Sequence, residues 1–495
     1  MSGLRRSPFP HYMTRFANEP TYEHKWPILA ALAGVVLMAS FVFSAAAVVL
    51  PAIVKEFDID FALVQWVLLS YTLAQTSIMP MVGRLGDMVG KRPLFLGGTG
   101  AFMVTSVLPG LAPTIELLLL YRVLQAVSAA FALALNFGIV TETFPPSERG
   151  KALGVFGALF AAGSIAGPIV AGVLLETLSW RWIFFVGLPL SGISLILAWR
   201  YLPKTHPPGR QSFDWPGSLL LFTGLLALML YLTFGDRAGF LSLGMLGLLA
   251  VSLLTLWQFV RNEARVQDPL FDLSLFRNAQ FSINLAIRII ANVTVGGLWF
   301  LFPFYLGNIL LIEPLLGGML LTTFWVCFGA TVIISGALAD RFGVRLITGA
   351  GLAILAIGCY TVSTLSAASS AVEFVLRVAP VALGFGISHS PTNSAVMSSA
   401  PRDRLGIASG TITIGWFLGR TAGVAALGAL WASRVHVYAG PEFGGAVTEA
   451  AAGPQIAALR DVSFAAMALA GVTIVMIAWE SPHARSAARP AHLPL

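Results

Sequence analysis

The sequence predicts an all-α membrane protein of fourteen spanning helices, arranged as two six-helix repeats with two further helices inserted between them. Three observations carry this. Of 495 residues, 57% are hydrophobic and only 11% charged, with a mean hydropathy of +0.82. Apolar runs of about 20 residues, long enough to cross a bilayer, recur along the whole chain. Landmarks in the first part also return in the second at nearly one spacing: Gly83, Asp87 and Gly90 match Gly336, Asp340 and Gly343 at 253 residues, Arg122 matches Arg377 at 255, and Gly154, Gly163 and Gly167 match Gly410, Gly419 and Gly423 at 256. Such duplication in a helical membrane protein points to two repeats that move against each other around a central site.

Taken in order, the first six spans are expected at 27–50, 61–82, 93–111, 114–140, 151–174 and 182–201. Two inserted spans follow at 215–234 and 240–260, and the last six run over 281–306, 315–338, 346–365, 371–397, 405–432 and 462–479. The organisation is then an N-terminal segment 1–26, a first half 27–201, an inserted linker 202–280, a second half 281–480 and a basic, Pro/Ala-rich tail 481–495 suited to anionic lipid. Residues 433–458, rich in Gly and Ala, are expected to be a long outer loop.

With the N-terminus inside, 21 of the 30 Lys and Arg fall in inner segments, 5 in outer segments and 4 within spans. That bias sets the orientation and puts both termini in the cytoplasm of a cell whose inner membrane holds the protein. The net charge of +7 and pI of about 9.6 are therefore topological, and no nucleic-acid partner is expected. Cys327 and Cys359 sit in apolar segments, so neither a disulfide framework nor a metal site is expected. No phosphate-binding loop, zinc spacing or nucleophile elbow occurs; the chain reads as neither an enzyme nor an ATP-driven pump, with no cofactor.

The most informative stretch is GRLGDMVGKR, Gly83 to Arg92, a short water-facing hairpin between spans two and three. Asp87 there can neutralise Arg84, Lys91 or Arg92, and the glycines let the chain reverse between close helices. GALADRFGVR, Gly336 to Arg345, repeats it, with Asp340 and Arg341. Span five reads GALFAAGSIAGPIVAG: Gly163, Gly167 and Gly172 make a small-residue face, and Pro168 frees a carbonyl.

These motifs resemble those of the major facilitator superfamily. The hairpin is similar to the family's signature between helices 2 and 3, which implies a cytoplasmic latch made by Gly83, Arg84, Asp87, Gly90, Lys91 and Arg92 and by Gly336, Asp340, Arg341 and Gly343. Span five resembles the family's antiporter motif, with Ala171 replacing one glycine, which implies a seal and pivot at Gly163, Gly167, Pro168 and Gly172. WRWIFFVGLP (Trp180 to Pro189), FDWPG (Phe213 to Gly217) and DPLFDLSLF (Asp268 to Phe276) look like the fourteen-helix drug:proton antiporter branch. The resemblance implies a secondary transporter working by alternating access, a monomer that exports a small-molecule substrate through the lipid bilayer, with protons as the coupling ion.

Departures from the branch narrow that expectation. Where the branch places an acid and an asparagine in the first span, this chain has Val42 and Ala47, and no Asp or Glu stands near mid-membrane in any span. Arginines stand there instead: Arg122, in LLLYRVLQ with Gln125 one turn on, then Arg288, Arg377 and Arg420, joined by His389. A buried arginine is costly unless it faces a wet cavity or finds a partner, so each is a candidate for the path. Arg122, Gln125, Arg288, His389 and Arg420, with Trp299 and Trp325 as aromatic walls, are the expected cavity residues. Such a cavity favours amphipathic or anionic solutes. Three alternatives stay open: a conventional multidrug:proton antiporter of cationic or neutral drugs, an acidic-lipid flippase, and a membrane scaffold or sensor that transports nothing.

Overall fold

The computed structural model describes residues 24–203, 214–266, 273–401, 405–443 and 445–479. The side chains of Arg84 and Asp87, most of the N-terminal segment, the tail, Phe213 and residues 268–272 lie outside the described residues. Among the described residues, fourteen helices are long and apolar enough to cross a membrane.

In the first repeat, α1 (Lys25–Val48) ends just before Pro51, and the short α2 (Leu50–Phe57) carries that proline in its first turn. Proline lacks the amide a continuing helix needs, but its fixed φ suits a helix start. Then come α3 (Phe61–Val89), α4 (Lys91–Gly110), α5 (Ile115–Leu133), α6 (Asn136–Thr143), α7 (Pro146–Thr177) and, after a 3₁₀ turn at Trp180–Phe184, α8 (Leu188–Tyr201). The inserted pair is α9 (Trp215–Ala238) and α10 (Leu243–Glu263). The second repeat is α11 (Ala279–Phe304), α12 (Pro314–Phe342), α13 (Val344–Ser363), α14 (Ala371–Ser398), α15 (Leu405–Ala439) and α16 (Ala452–Trp479). The structure differs from the expected long loop at 433–458, because α15 runs on to Ala439 and α16 starts at Ala452. Alanines favour helix there, and the Gln455 amide donates to the Ala450 carbonyl at 2.6 Å, tucking the short connection onto α16.

The two repeats use the same local devices. Gly90 (φ +100°) ends α3 and Gly343 (φ +91°) ends α12, both in a region that side chains avoid. Two residues past each turn an arginine donates to the last turn of its repeat's final helix: Arg92 Nη2 to Trp199 O at 2.7 Å, and Arg345 Nη2 to Ala478 O at 2.7 Å. These turns define what we call the hairpin end of the bundle, and α2 and Pro314 mark the far end. Within the first repeat α7 packs on α1: a Cβ on Gly163 would lie 2.3 Å from Leu37 O, and one on Gly167 2.8 Å from Phe41 O. Within the second repeat α15 packs on α11 in the same way, with Gly419 against Ile289 O (2.6 Å) and Gly423 against Val293 O (2.2 Å). Only glycine permits such backbone approach. The inserted α9 covers the seam between α3 and α15, where the Trp66 and Phe234 rings stack at 6.2 Å. Beside it, α10 turns Leu243, Leu253 and Leu254 outward.

Candidate functional site

The two repeats touch at the far end. α7 and α12 interlock: a Cβ on Gly318 would lie 2.1 Å from Pro168 O, and one on Gly172 2.6 Å from Pro314 O. Thr322 Oγ1 donates to Ile165 O at 3.1 Å, and the Leu315 amide donates to Glu176 Oε1 at 3.0 Å. On the other seam, Phe61 of α3 packs on Trp431 (4.6 Å), Phe304 (5.1 Å) and Phe300 (5.2 Å). Toward the hairpin end this closure stops. A side chain added at Gly154 or Gly157 on α7, or at Gly410 on α15, would meet nothing within 4 Å.

Between the repeats lies a cavity of about 380 Å³. Its lining comes from helices of both repeats: Ser40 and Phe43 on α1, Tyr71, Gln75 and Met79 on α3, Phe156, Gly157 and Phe160 on α7, Phe328 and Val332 on α12, and Thr413, Trp416, Phe417 and Arg420 on α15. Asn136, Arg288 and His389 complete its polar wall. At ~30 Å³ per water this space holds roughly a dozen waters, or a small organic molecule.

Arg288, Arg420 and His389 meet around one ring. The guanidinium carbons of Arg288 and Arg420 lie 5.4 and 5.6 Å from the centre of Trp416, and the His389 ring stands edge-on to it at 5.0 Å. Arg420 also covers the Phe43 ring at 4.4 Å, so the first repeat supplies part of its bed. Both arginines are almost fully buried, at 6% and 4% exposure. The α11–α15 glycine contacts hold them in register, and a Cβ on Gly296 would lie 2.9 Å from the Arg420 backbone. Arg288 Nε and Nη1, Arg420 Nη2 and His389 Nε2 are buried without a hydrogen-bond partner among the described residues. Among the described residues no Asp or Glu lines the cavity, and α1, α11 and α15 contain none along their described lengths.

Arg122 and Gln125 lie elsewhere, one layer behind the cavity. Arg122 Nε donates to Val67 O at 3.0 Å and its Nη1 to Gln125 Oε1 at 2.6 Å, while Gln125 Nε2 donates to Ser106 Oγ at 3.1 Å. The Arg122 guanidinium lies 4.3 Å from the centre of Tyr71, whose ring reaches the cavity wall. Trp325 backs Arg420 at 5.3 Å, and Trp299 stands edge-on behind Trp325 at 5.3 Å; neither lines the cavity. Arg377 belongs to the far end, donating to Ser369 Oγ at 2.7 Å. Val42 is buried away from the cavity, and its neighbour Phe43 faces it.

At the hairpin end, Lys91 crosses Gly138 to pair with Glu142, which fastens α4 to α6 within the first repeat. Arg92 is taken up by α8 as described. A Cβ on Gly83 would meet no described atom within 4 Å, one on Gly336 would lie 3.4 Å from Ser390 Oγ, Asp340 is exposed, and Arg341 lies over the Phe342 ring at 5.2 Å. Reasoning from sequence missed the aromatic lining and the Tyr71–Gln75 pair. The pair carried a signal, two polar side chains one turn apart in an apolar span; the phenylalanines carried none, because packing and lining positions share one composition.

The model of the Major Facilitator Superfamily matches residues 32–424 and 285–492. The riboflavin transporter RibZ of Clostridioides difficile is 31% identical over 386 residues, 78% of this chain and 83% of that protein. The tetracenomycin C resistance and export protein of Streptomyces glaucescens is 32% identical over 421 residues, 83% of this chain and 76% of that one. Among solved structures, a bacterial homologue of the human lysosomal transporter Spinster, inward-facing and unoccupied, superposes with a TM-score of 0.67 at 16% identity, covering 94% of this chain and 100% of that one. The human organic anion transporter MFSD10 superposes with a TM-score of 0.60 at 15% identity, over 93% and 100%. With its fold shared and its sequence matched along nearly the whole length, the chain belongs to the Major Facilitator Superfamily, as a secondary active efflux transporter.

Proposed function

We propose that this transporter exports anionic, amphipathic small molecules by alternating access, with the 380 Å³ cavity as its substrate site. The observation that carries this is two buried arginines in a cavity with no carboxylate among its described lining residues. Guanidinium groups bind carboxylates, phosphates and sulfonates through charge-assisted hydrogen bonds, and the surrounding Phe43, Phe160, Phe328 and Trp416 suit an apolar body. A cationic drug meets repulsion instead. The ring faces that would bind it by cation–π attraction, on Trp416 and Phe43, already hold Arg288 and Arg420.

The hairpin end is the cytoplasmic one in this reading, because the excess of Lys and Arg lies there. Both termini then face the cytoplasm of an inner-membrane protein, and the state described is closed outward and open inward. Gly172, Pro168 and Gly318 seal it, and the substrate enters from inside. The chain acts as a monomer, since both walls of the site come from one chain. His389 is the one imidazole among the described cavity-lining residues, and so the candidate for any proton coupling.

The test is transport in proteoliposomes of the purified chain, with carboxyfluorescein as anionic probe and ethidium as cationic probe. Carboxyfluorescein movement that Arg420→Gln abolishes supports the reading. Movement of ethidium, driven by a pH gradient and indifferent to Arg420→Gln, overturns it in favour of a conventional multidrug antiporter.

A further inference from the structure

We propose that Arg288 and Arg420 hold a small inorganic anion of chloride size whenever no organic substrate is bound, and that this ion returns through the membrane in exchange for the exported anion. The second half of the proposal rests on the exporter reading; the first half does not.

The argument is one of uncompensated charge. Arg288 and Arg420 face one cavity from α11 and α15, share the Trp416 ring and leave Nε, Nη1 and Nη2 atoms buried without protein acceptors among the described residues. The carboxylates on the other lining helices stand at or near helix ends: Asp87 on α3, whose side chain lies outside the described residues, Glu116 on α5, Glu142 on α6, Glu148 and Glu176 on α7, Asp340 on α12 and Glu373 on α14. Four of them are engaged there, Glu142 with Lys91, Glu148 with Lys25, Glu176 with the Leu315 amide and Glu373 with the Ser370 cap. Arg122 shows the alternative that this fold offers a buried arginine, a carbonyl and an amide oxygen within 3.0 Å; among the described residues, Arg288 and Arg420 meet ring faces instead.

While the cavity is open at the hairpin end, water can solvate both cations. Alternating access requires a moment when both ends are shut, and two like charges are then sealed together in a region of low dielectric. With the substrate anion present, that anion supplies the counter-charge. On the return stroke it is gone, and a small anion taken from the other side does the same work. Each singly charged substrate carried out would be matched by one inorganic anion carried in, so the cycle moves no net charge and needs no buried acid, which fits Val42 at the position where the branch has one.

Two measurements on the full chain test this. In the first, purified protein is heated in sodium gluconate while chloride replaces gluconate at constant ionic strength. The wild type should show a saturable rise in melting temperature, since a ligand that binds only the folded state stabilises it. Arg288→Gln and Arg420→Gln should lose that rise, and Arg288→Lys and Arg420→Lys, which keep the charge, should retain it. A melting temperature indifferent to chloride, or a rise unchanged in both glutamine variants, overturns the proposed ion site. In the second, proteoliposomes carry carboxyfluorescein on one side and chloride or gluconate on the other. Faster carboxyfluorescein movement against chloride, without an imposed pH gradient, supports exchange. Equal movement in both salts overturns exchange and leaves the exporter reading standing. No carboxyfluorescein movement, together with an arginine-dependent chloride rise, sustains the ion site and overturns the exporter reading.

Discussion

Gly318 of α12 lies so close to Pro168 of α7 that a Cβ would sit 2.1 Å from the proline carbonyl oxygen. The reciprocal contact, Gly172 against Pro314 O at 2.6 Å, makes the far-end closure a backbone-on-backbone joint between the repeats. Bulk placed there penalises one conformation only. Gly318→Leu should cost the closed state about 1–3 kcal/mol, shifting the closed-to-open ratio by roughly 5- to 150-fold. A cysteine at Leu321, buried beside this joint, in a Cys327→Ala, Cys359→Ala background, should react faster with an impermeant thiol reagent supplied from the far side. Unchanged labelling would remove the joint from the gating mechanism.

Arg420→Gln and Arg288→Gln should each lower kcat/KM for an anionic probe. A charge-assisted hydrogen bond contributes about 1.5–3 kcal/mol, so the loss should be roughly 10- to 150-fold. Arg420→Lys should lose less, keeping the charge but not the planar fork. Initial rates of carboxyfluorescein transport in proteoliposomes measure this.

Phe43→Asp should weaken anion transport as strongly as removing Arg420 does. The Phe43 ring lies 4.4 Å from the Arg420 guanidinium carbon, so a carboxylate from that position can neutralise the cation in place. The variant should begin to admit ethidium, and ethidium flux reports it. Val42→Asp should unfold the protein instead, since Val42 is 1% exposed and no cavity wall receives its side chain.

Arg122→Leu should lower stability without changing which charge is carried. It removes two hydrogen bonds, to Val67 O and Gln125 Oε1, and the stacking on Tyr71. The cost is about 2–4 kcal/mol. Thermal unfolding should show it, while the ratio of carboxyfluorescein to ethidium transport stays as in the wild type.

The spans were legible because a bilayer demands long apolar runs, and the hairpins because an acid followed three residues on by Gly-x-Arg ends a helix at a water boundary. Gly163, Gly167, Gly419 and Gly423 were legible as a repeated spacing, and they make equivalent joints on α1 and α11. Arg288 and Arg122 obey the same rule for buried charge, yet one faces the cavity and the other bonds behind it; the difference is a glutamine and a backbone carbonyl within reach, which depends on how α3 and α5 pack. The aromatic wall was illegible for a related reason. Trp299 and Trp325 were the conspicuous rings, but in helices that are apolar all round, the face turned to the cavity is decided by the neighbours.

The placement of α9 over the α3–α15 seam gives the molecule an asymmetric perimeter. Of the two lines along which the repeats part, one is sheathed by a helix of the same chain, and the other, between α7 and α12, has no such cover among the described residues. Lateral pressure in the bilayer therefore acts on the rocking motion mainly through the Gly172–Gly318 joint, and a change in lipid packing will bias this transporter from one side.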